Sequence, residues 1–354
     1  MLSRAFTRAL GPRGGVRLPR YAGYSTQPAA PPDPPAKPAG SGPGKERPPG
    51  TYMIWAMEAI GATAAFLYYL HLHTDLLKPK VEERLHPEKY TPFTLVEREP
   101  LTADTTRFRF RVNRPRFDGD QEKLADSVIS QGAWAVDVKD HLVQTYRTYT
   151  PVDYQVAETV DEDRGLREGH CDLVVKRYPQ GSLSRFLHGT RVGDQVEMRG
   201  PILTWPYSPG KYGHVYMVAG GTGVAPMLQL IDRILRDPAD SATRMSLLYG
   251  SQSEGDIIYR SQLDALAKDH PDRLAITYLV DKGPAAAAQV GHPDATSIGR
   301  LVRDFDKTRD VVLVCGPDAM LNAVSGVRPV GPAQGPLRGV LKSLGFTSKD
   351  VFKF

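Results

Sequence analysis

Two rhythms of apolar and polar positions divide the chain. From Lys89 onward short runs alternate apolar and polar residues, the period of a half-buried strand. Thr91–Arg98 and Thr105–Val112 alternate in this way, with Phe108, Phe110 and Val112 on one face. Ala133–Val138, Val143–Pro151, His170–Arg177 and Gln195–Arg199 follow. Many short strands at this spacing predict an antiparallel β-barrel over residues 89–208. Gly181-Ser182-Leu183-Ser184 opens a short helix through His188, while Asp118–Gln131 and Glu158–Gly169 read as charged insertions.

After Gly210 apolar runs alternate with helical patterns. Strand His214–Ala219 leads to helix Pro226–Arg236, strand Arg244–Tyr249 to helix Tyr259–His270, and strand Leu274–Val280 to helix Thr296–Phe305. Strand Val311–Val314 then meets Cys315-Gly316-Pro317 and a helix from Asp318. This order predicts an α/β domain over 209–354, a parallel sheet with helices on both faces. Ligands of such sheets bind at the carboxyl ends of the strands, where Gly220–Gly223, Asp281 and Cys315 all fall.

The N-terminal part reads differently. Arg4, Arg8, Arg13, Arg17 and Arg20 precede the first acid, Asp33. An arginine-rich, acid-free start reads as a mitochondrial transit peptide, taken as residues 1–25. Residues 26–51, dense in Pro, Gly, Ala and Lys, read as a linker. Tyr52–Leu70 is the one long apolar run and would span roughly 28 Å as a helix, close to the thickness of a bilayer core. Trp55, Tyr68 and Tyr69 sit near its ends as interfacial aromatics do. Glu58 opposes a membrane span by about 2.5–3.5 kcal/mol on insertion scales. A helix packed on the protein's own core is the alternative. Residues 71–88 read as a second linker. The charge bias orients the folded part toward the mitochondrial intermembrane space, with the anchor in the inner membrane.

Composition narrows the class. The 354 residues suffice for two ordinary domains, and 41% hydrophobic with 24% charged content suits a globular body. The net charge of +5 gathers partly in the first residues, so nucleic-acid binding has no support. Cys171 and Cys315 form no ligand cluster, so no metal site is expected.

Three stretches carry chemistry. Met217–Met227 joins an apolar strand through Gly220, Gly221, Thr222 and Gly223 to a helix with Pro226 in its first turn. That geometry brings backbone N–H groups and a helix N-terminus to a phosphate. The spacing lacks the last glycine of the dinucleotide fingerprint, so a plain tight turn is the alternative. In Arg147-Thr148-Tyr149-Thr150-Pro151 an arginine can fork onto phosphate, a tyrosine can stack on a flat ring, and a hydroxyl can donate to a ring nitrogen. On strand propensity alone an ordinary strand ending at proline is the stronger reading of these residue types. The amides of Gly181–Ser184 suit a pyrophosphate, with an N-cap by Ser182 or Ser184 as the alternative.

In this order the stretches resemble the ferredoxin-reductase superfamily, specifically the NADH–cytochrome b5 reductases, from about Lys89 to Phe354. Arg147-x-Tyr149-Thr150-Pro151 is similar to that family's flavin motif, and Val174-Val175-Lys176 with Gly181-Ser182-Leu183-Ser184 to its second flavin stretch. Arg199-Gly200-Pro201 resembles its third. Gly220–Pro226 resembles the nicotinamide loop, and Cys315-Gly316-Pro317 with Met320 the motif beneath the nicotinamide. The resemblance implies a barrel that binds FAD and a second domain that binds NADH. Tyr149 would stack on the isoalloxazine and Thr150 would bond near its N5. Arg147 and the Gly181–Ser184 amides would hold the pyrophosphate, with Pro151, Val175 and Lys176 beside the flavin. Thr222 would sit near the nicotinamide, and Cys315 would place it for hydride transfer. Asp281 would bind ribose hydroxyls and repel the 2′-phosphate of NADPH. Phe354 joins the cofactor-binding set.

Two departures matter. The family's G-x-P-G-Q turn is replaced by Ser130–Asp140, and Ser325–Gly335 is inserted before the last helix. With the presequence and anchor, these resemble the fungal mitochondrial flavoproteins that assist haem attachment to cytochrome c. Three functions follow as expectations: a haem reductase serving cytochrome c and its haem lyase, an ordinary cytochrome b5 reductase, or a membrane-tethered assembly factor without turnover.

Overall fold

The computed structural model describes Thr63 and residues 83–115, 119–140, 144–156, 166–283, 288–329, 331 and 333–354. The expected transit peptide, first linker and membrane span lie outside these residues, Thr63 apart. Among the described residues no helix is long and apolar enough to cross a membrane. Residues 78–354 form one compact unit.

Seven strands build an antiparallel sheet: β1 (Thr91–Pro100), β2 (Thr105–Pro115), β3 (Gly132–Lys139), β4 (Tyr146–Tyr149), β5 (Asp153–Val156), β6 (Leu166–Lys176) and β7 (Gln195–Pro206). Their order is β4-β3-β7-β1-β2-β6-β5. Successive side chains alternate faces. On β2, Phe108, Phe110 and Val112 point into a core shared with Phe93, Leu95, Trp134, Val136, Leu173 and Met198. The intervening Arg107, Arg109 and Arg111 meet Glu97, Asp172 and Glu83.

The expected barrel is thus a sheet wrapped around one core with an open seam. Its edge strands, β4 and β5, are consecutive in the chain. Of the expected strand Val143–Pro151, whose first residue lies outside the described residues, Tyr146–Tyr149 is laddered; it ends before Pro151, which offers no N–H. The chain crosses the seam at Thr150-Pro151-Val152 and pairs again as β5 on β6, a strand that the sequence did not suggest. Asp118–Gln131, expected as an insertion, holds helix Gly119–Ser130. The end of the expected second linker also belongs to the fold. Leu85 joins the core, and buried Glu83 accepts from the Thr94 amide at 2.9 Å and from Asn113 Nδ2 at 2.8 Å.

Six strands form the second, parallel sheet: β8 (His214–Gly220), β9 (Arg244–Ser251), β10 (Leu274–Val280), β11 (Gln289–Val290), β12 (Asp310–Cys315) and β13 (Val351–Lys353), in the order β11-β10-β9-β8-β12-β13. Both faces are covered, so β8 is almost continuously apolar. Val215, Met217 and Ala219 pack against helix Ala225–Arg236 through Met227, Leu230 and Ile234. Tyr216 and Val218 pack on the other face with Ile298, Leu321 and Leu341. The helix expected to reach Phe305 stops at Leu301. The inserted stretch after Val324 leads to a short helix, Gly339–Ser343, and to β13. Gln334 fastens it there: its side chain accepts from the Lys353 amide at 2.6 Å and donates to the Lys353 carbonyl at 3.0 Å.

The two sheets are joined by Gln229. The Trp134 amide donates to its Oε1 at 2.8 Å, and its Nε2 donates to the carbonyls of Trp134 and Pro151 at 3.2 and 3.1 Å.

Candidate active site

The glycine turn forms as the strand–turn–helix pattern requires. β8 ends at Gly220, a 3₁₀ turn covers Gly221–Val224, and helix Ala225–Arg236 follows with Pro226 in its first turn. Gly221 has φ +52°, a left-handed conformation that favours glycine, and open space where a side chain would project. The Tyr249 hydroxyl donates to its carbonyl at 3.1 Å and fixes the turn. Gly223 is needed for another reason. A Cβ there would lie 2.6 Å from the Cys315 carbonyl carbon and 2.7 Å from the Gly316 nitrogen. The ends of β8 and β12 therefore touch through backbone. Met320 fills the space beside Gly220 and Gly316, with its Sδ 2.6 Å from a Cβ built on Gly220.

Cys315 closes β12, and burial pushes its thiol up to about 12. It therefore stays a neutral thiol at ordinary pH, a packing group and not a nucleophile. Phe354 is bound one residue away: its amide donates to the Val314 carbonyl at 3.0 Å, and its ring meets Phe352 at 5.1 Å.

The seam carries the second group. Arg147 is exposed, with one guanidinium nitrogen donating to the Tyr146 carbonyl at 2.8 Å. Tyr149 turns inward, and burial pushes its phenol up to about 12, so the ring stays neutral. Thr150 follows half-buried, and Pro151 is buried. Arg199 forks onto Asp137 Oδ2 at 3.0 and 2.8 Å.

Helix Ser182–Gly189 has no side-chain cap. The alternative of an N-cap by Ser182 or Ser184 is thereby removed. Ser182 is exposed, and the Ser184 hydroxyl accepts from the Tyr178 amide at 3.1 Å, closing the preceding turn. First-turn amides of a helix have no intrahelical acceptor and face whatever lies before the helix. Leu183 and Val175 point into the core, so from these two residues only backbone is offered outward. The Val175 carbonyl is taken by His188 Nε2 at 3.1 Å.

A cavity of about 490 Å³ runs along the carboxyl ends of β8, β9 and β10. Gly220, Gly221, Thr222, Pro317 and Met320 line one part, and Asp281 and His292 another. Two strand spacings, about 10 Å, separate the ends of β8 and β10. The antiparallel sheet contributes Asp104, Lys176 and Tyr178, with Lys176 paired to Asp104 at 2.8 Å. A larger cleft of about 560 Å³ lies between Trp134, Tyr154 and helix Ala225–Arg236, but of the sequence-predicted residues it holds only Pro151.

This arrangement, an uncapped helix and an inward tyrosine on one sheet and a glycine turn on the other, suits two phosphate-bearing cofactors. Comparison with known proteins agrees. Residues 92–207 match the oxidoreductase FAD-binding domain, and residues 217–326 the oxidoreductase NAD-binding domain. NADH-cytochrome b5 reductase 2 of Ajellomyces capsulatus is 31% identical over 315 residues, covering 87% of this chain and 93% of that protein.

The chain belongs to the NADH–cytochrome b5 reductase family.

An NADH-cytochrome b5 reductase-like protein of Arabidopsis thaliana is 33% identical over 300 residues, covering 81% of this chain and 83% of the other. The cytochrome b5 reductase domain of Ulva prolifera nitrate reductase superposes with a TM-score of 0.58 at 30% identity, over 76% of this chain and 99% of that one. The protein is an NADH-dependent FAD oxidoreductase of the cytochrome b5 reductase type. The FAD-binding match covers the antiparallel sheet and the NAD-binding match the parallel one, and the uncapped helix and the glycine turn fit those groups.

The structure brings together Gly220, Gly221, Gly223, Cys315, Gly316 and Met320 as the sequence suggested. Tyr178, Asp104 and His292 were missed. Tyr178 lies just before the Gly181 turn, where an aromatic beside a glycine turn could have been noticed. Asp104 in its strand-to-strand turn and His292 before a helix look like ordinary loop residues. Asp153, His170 and Asp172 form the one cluster of potential metal ligands among the described residues, and there Asp172 is already forked by Arg109 at 2.8 Å.

Proposed function

We propose that the protein is a mitochondrial membrane flavoprotein that takes hydride from NADH and passes electrons singly to a haem acceptor. The observation that carries this reading is the single cavity in which the glycine turn, Pro317 and Met320 meet Lys176 and Tyr178 of the flavin-binding sheet. The flavin supplies the change from two-electron to one-electron chemistry; the protein supplies position and electrostatics. One NADH gives two electrons and a proton, so it reduces two ferric haems to ferrous.

Arg147 and the Gly181–Ser184 amides hold the pyrophosphate, by a guanidinium fork and by helix N-terminal N–H groups. Tyr149 presents a neutral ring for stacking, and Thr150 donates to the flavin ring. Thr222 and the neutral Cys315 thiol position the nicotinamide by packing. Asp281 binds the ribose hydroxyls.

Cytochrome b5 is the acceptor suggested by the names of the relatives. A second reading, reduction of haem on its way to cytochrome c in the intermembrane space, is favoured by the arginine-rich start, by Tyr52–Leu70 and by the replacement of the G-x-P-G-Q turn. Anaerobic titration of the full chain with NADH, followed by ferric haem or ferric cytochrome b5, tests both. Fast transfer to cytochrome b5 supports the first acceptor, and transfer to haem with slow transfer to cytochrome b5 the second. Flavin that NADH fails to bleach would leave a tethered scaffold without turnover.

A further inference from the structure

Tyr259, just before helix Arg260–Asp269, carries two unfavourable features at once. Its backbone is left-handed, with φ +58°, which residues bearing a side chain rarely adopt. Its hydroxyl is enclosed and has no hydrogen-bond partner among the described residues. Burial raises the phenol's pKa, so the group stays neutral, able both to donate and to accept. Arg107 of β2 lines the same cleft of about 560 Å³ and has the matching defect. Its Nη2 meets Glu97 and Glu99 at 2.9 and 2.8 Å, but its Nε is enclosed without a partner. A guanidinium N–H can only donate, and a phenol oxygen can accept. Each residue lacks what the other offers. Enclosed groups without partners and strained backbone both call for a functional explanation.

The cleft and the nucleotide cavity lie on either side of one contact. Along one face of β6, Asp172 lines the cleft, Val174 joins the core of the parallel sheet, and Lys176 lines the nucleotide cavity. These positions span about 13 Å. On β2, Arg107 pairs with Val174 and Thr105 with Lys176, so Arg107 lies toward the cleft and Thr105 toward the cavity. Opposite them, Tyr259 lines the cleft and its neighbour Ile258 the cavity, and Ile258 belongs to the same core as Val174. The two gaps have no lining residue in common. The Gln229 bridge to Trp134 and Pro151 keeps the sheets from parting. A tilt about Val174 and Ile258 therefore narrows one gap as it widens the other.

We propose that Arg107 and Tyr259 form a latch: when the cleft narrows, Arg107 Nε donates to Tyr259 Oη, and the nucleotide cavity opens for entry and exit. The inference rests on the nucleotide occupying the cavity of the glycine turn. The latched setting gives both enclosed groups a partner, while the present one leaves them unbonded. Glu97 and Glu99 are about half exposed and can follow the Arg107 side chain. The latch stabilises the open setting alone, so it acts on the rates of binding and release together and leaves the affinity nearly unchanged.

The test is stopped-flow binding of 1,4,5,6-tetrahydro-NAD, which donates no hydride, to the full chain loaded with FAD, read by flavin absorbance. Tyr259→Phe removes only the unbonded hydroxyl. Arg107→Lys keeps the charge beside Glu97 and Glu99 but has no Nε. In each, association and dissociation rates should both fall about fivefold, the worth of one hydrogen bond, with a dissociation constant within about twofold of the native value. The double variant should be no slower than either single one, because one bond is lost only once. Native rates in Tyr259→Phe overturn the proposal. So does a change in dissociation alone, or a double variant slowed by the product of the single effects. Asp281→Ala distinguishes the failures. If it weakens binding while Tyr259→Phe keeps native rates, only the latch falls. If it leaves binding unchanged, the assignment of the cavity falls and the inference with it.

Discussion

Gly223 packs directly against the backbone of Cys315, so closely that a Cβ on Gly223 would lie 2.6 Å from the Cys315 carbonyl carbon. The contact joins the end of β8 to the end of β12 and leaves no slack between the glycine turn and the thiol. Backbone cannot yield as a side-chain tip can. Gly223→Ala should cost about 1–3 kcal/mol of stability, as overpacking does. It should also weaken NADH binding, because the turn must move off Cys315. A melting temperature and an NADH dissociation constant check both.

Arg147 is exposed, and among the described residues its guanidinium donates to the Tyr146 carbonyl at 2.8 Å, which leaves further N–H groups to fork onto a phosphate. Arg147→Ala should weaken FAD retention roughly tenfold or more, the worth of a hydrogen bond to a charged group. Flavin absorbance per protein after gel filtration measures this. Full occupancy in the variant would take Arg147 out of the site.

Gln229 satisfies both backbone groups of Trp134 and the carbonyl of Pro151. Gln229→Ala leaves these without their partner, at a cost of about 1–3 kcal/mol. Since Pro151 follows Thr150, flavin affinity should fall together with the melting temperature. A stable variant with unchanged flavin affinity would show that the seam is set without this bridge.

Stability should depend on pH through His214. Its ring stacks on Tyr216 at 3.9 Å, and Nε2 lies 2.8 Å from the Ser246 hydroxyl. Burial holds its pKa down at about 4, against 6.5 for a free histidine. Between those values the unfolded chain binds a proton that the native chain refuses, so stability falls as pH drops from about 6.5 to 4. Denaturant midpoints across this window should decline less in His214→Gln.

Neither thiol should react readily in the native protein. Burial raises the pKa of Cys171 strongly and that of Cys315 to about 12. Iodoacetamide at pH 8 should leave buried Cys171 unmodified until denaturant is added, and should modify half-buried Cys315 only slowly, because its thiol is neutral there. Rapid labelling of Cys315 would show that its thiol ionises more easily than its surroundings imply.

What could be read without a structure was local. The change from alternating to continuous apolar runs marked the passage from one sheet to the other, because period and burial pattern follow directly from strand geometry. The β8 strand, glycine turn and Pro226 helix were legible for the same reason: each lies within a few residues of the next, and glycine and proline impose backbone preferences of their own. The rest depended on which distant segments meet. The seam at Pro151 appears only when β5 pairs with β6 and not with its chain neighbour. Gly223 became indispensable only when the parallel pairing of β8 with β12 set it against Cys315. His292 had no local signal, and β11 alone brought it to Asp281. Sheet register and strand order are non-local; they are settled by the burial of both faces of each sheet together, and the site is assembled where they are settled.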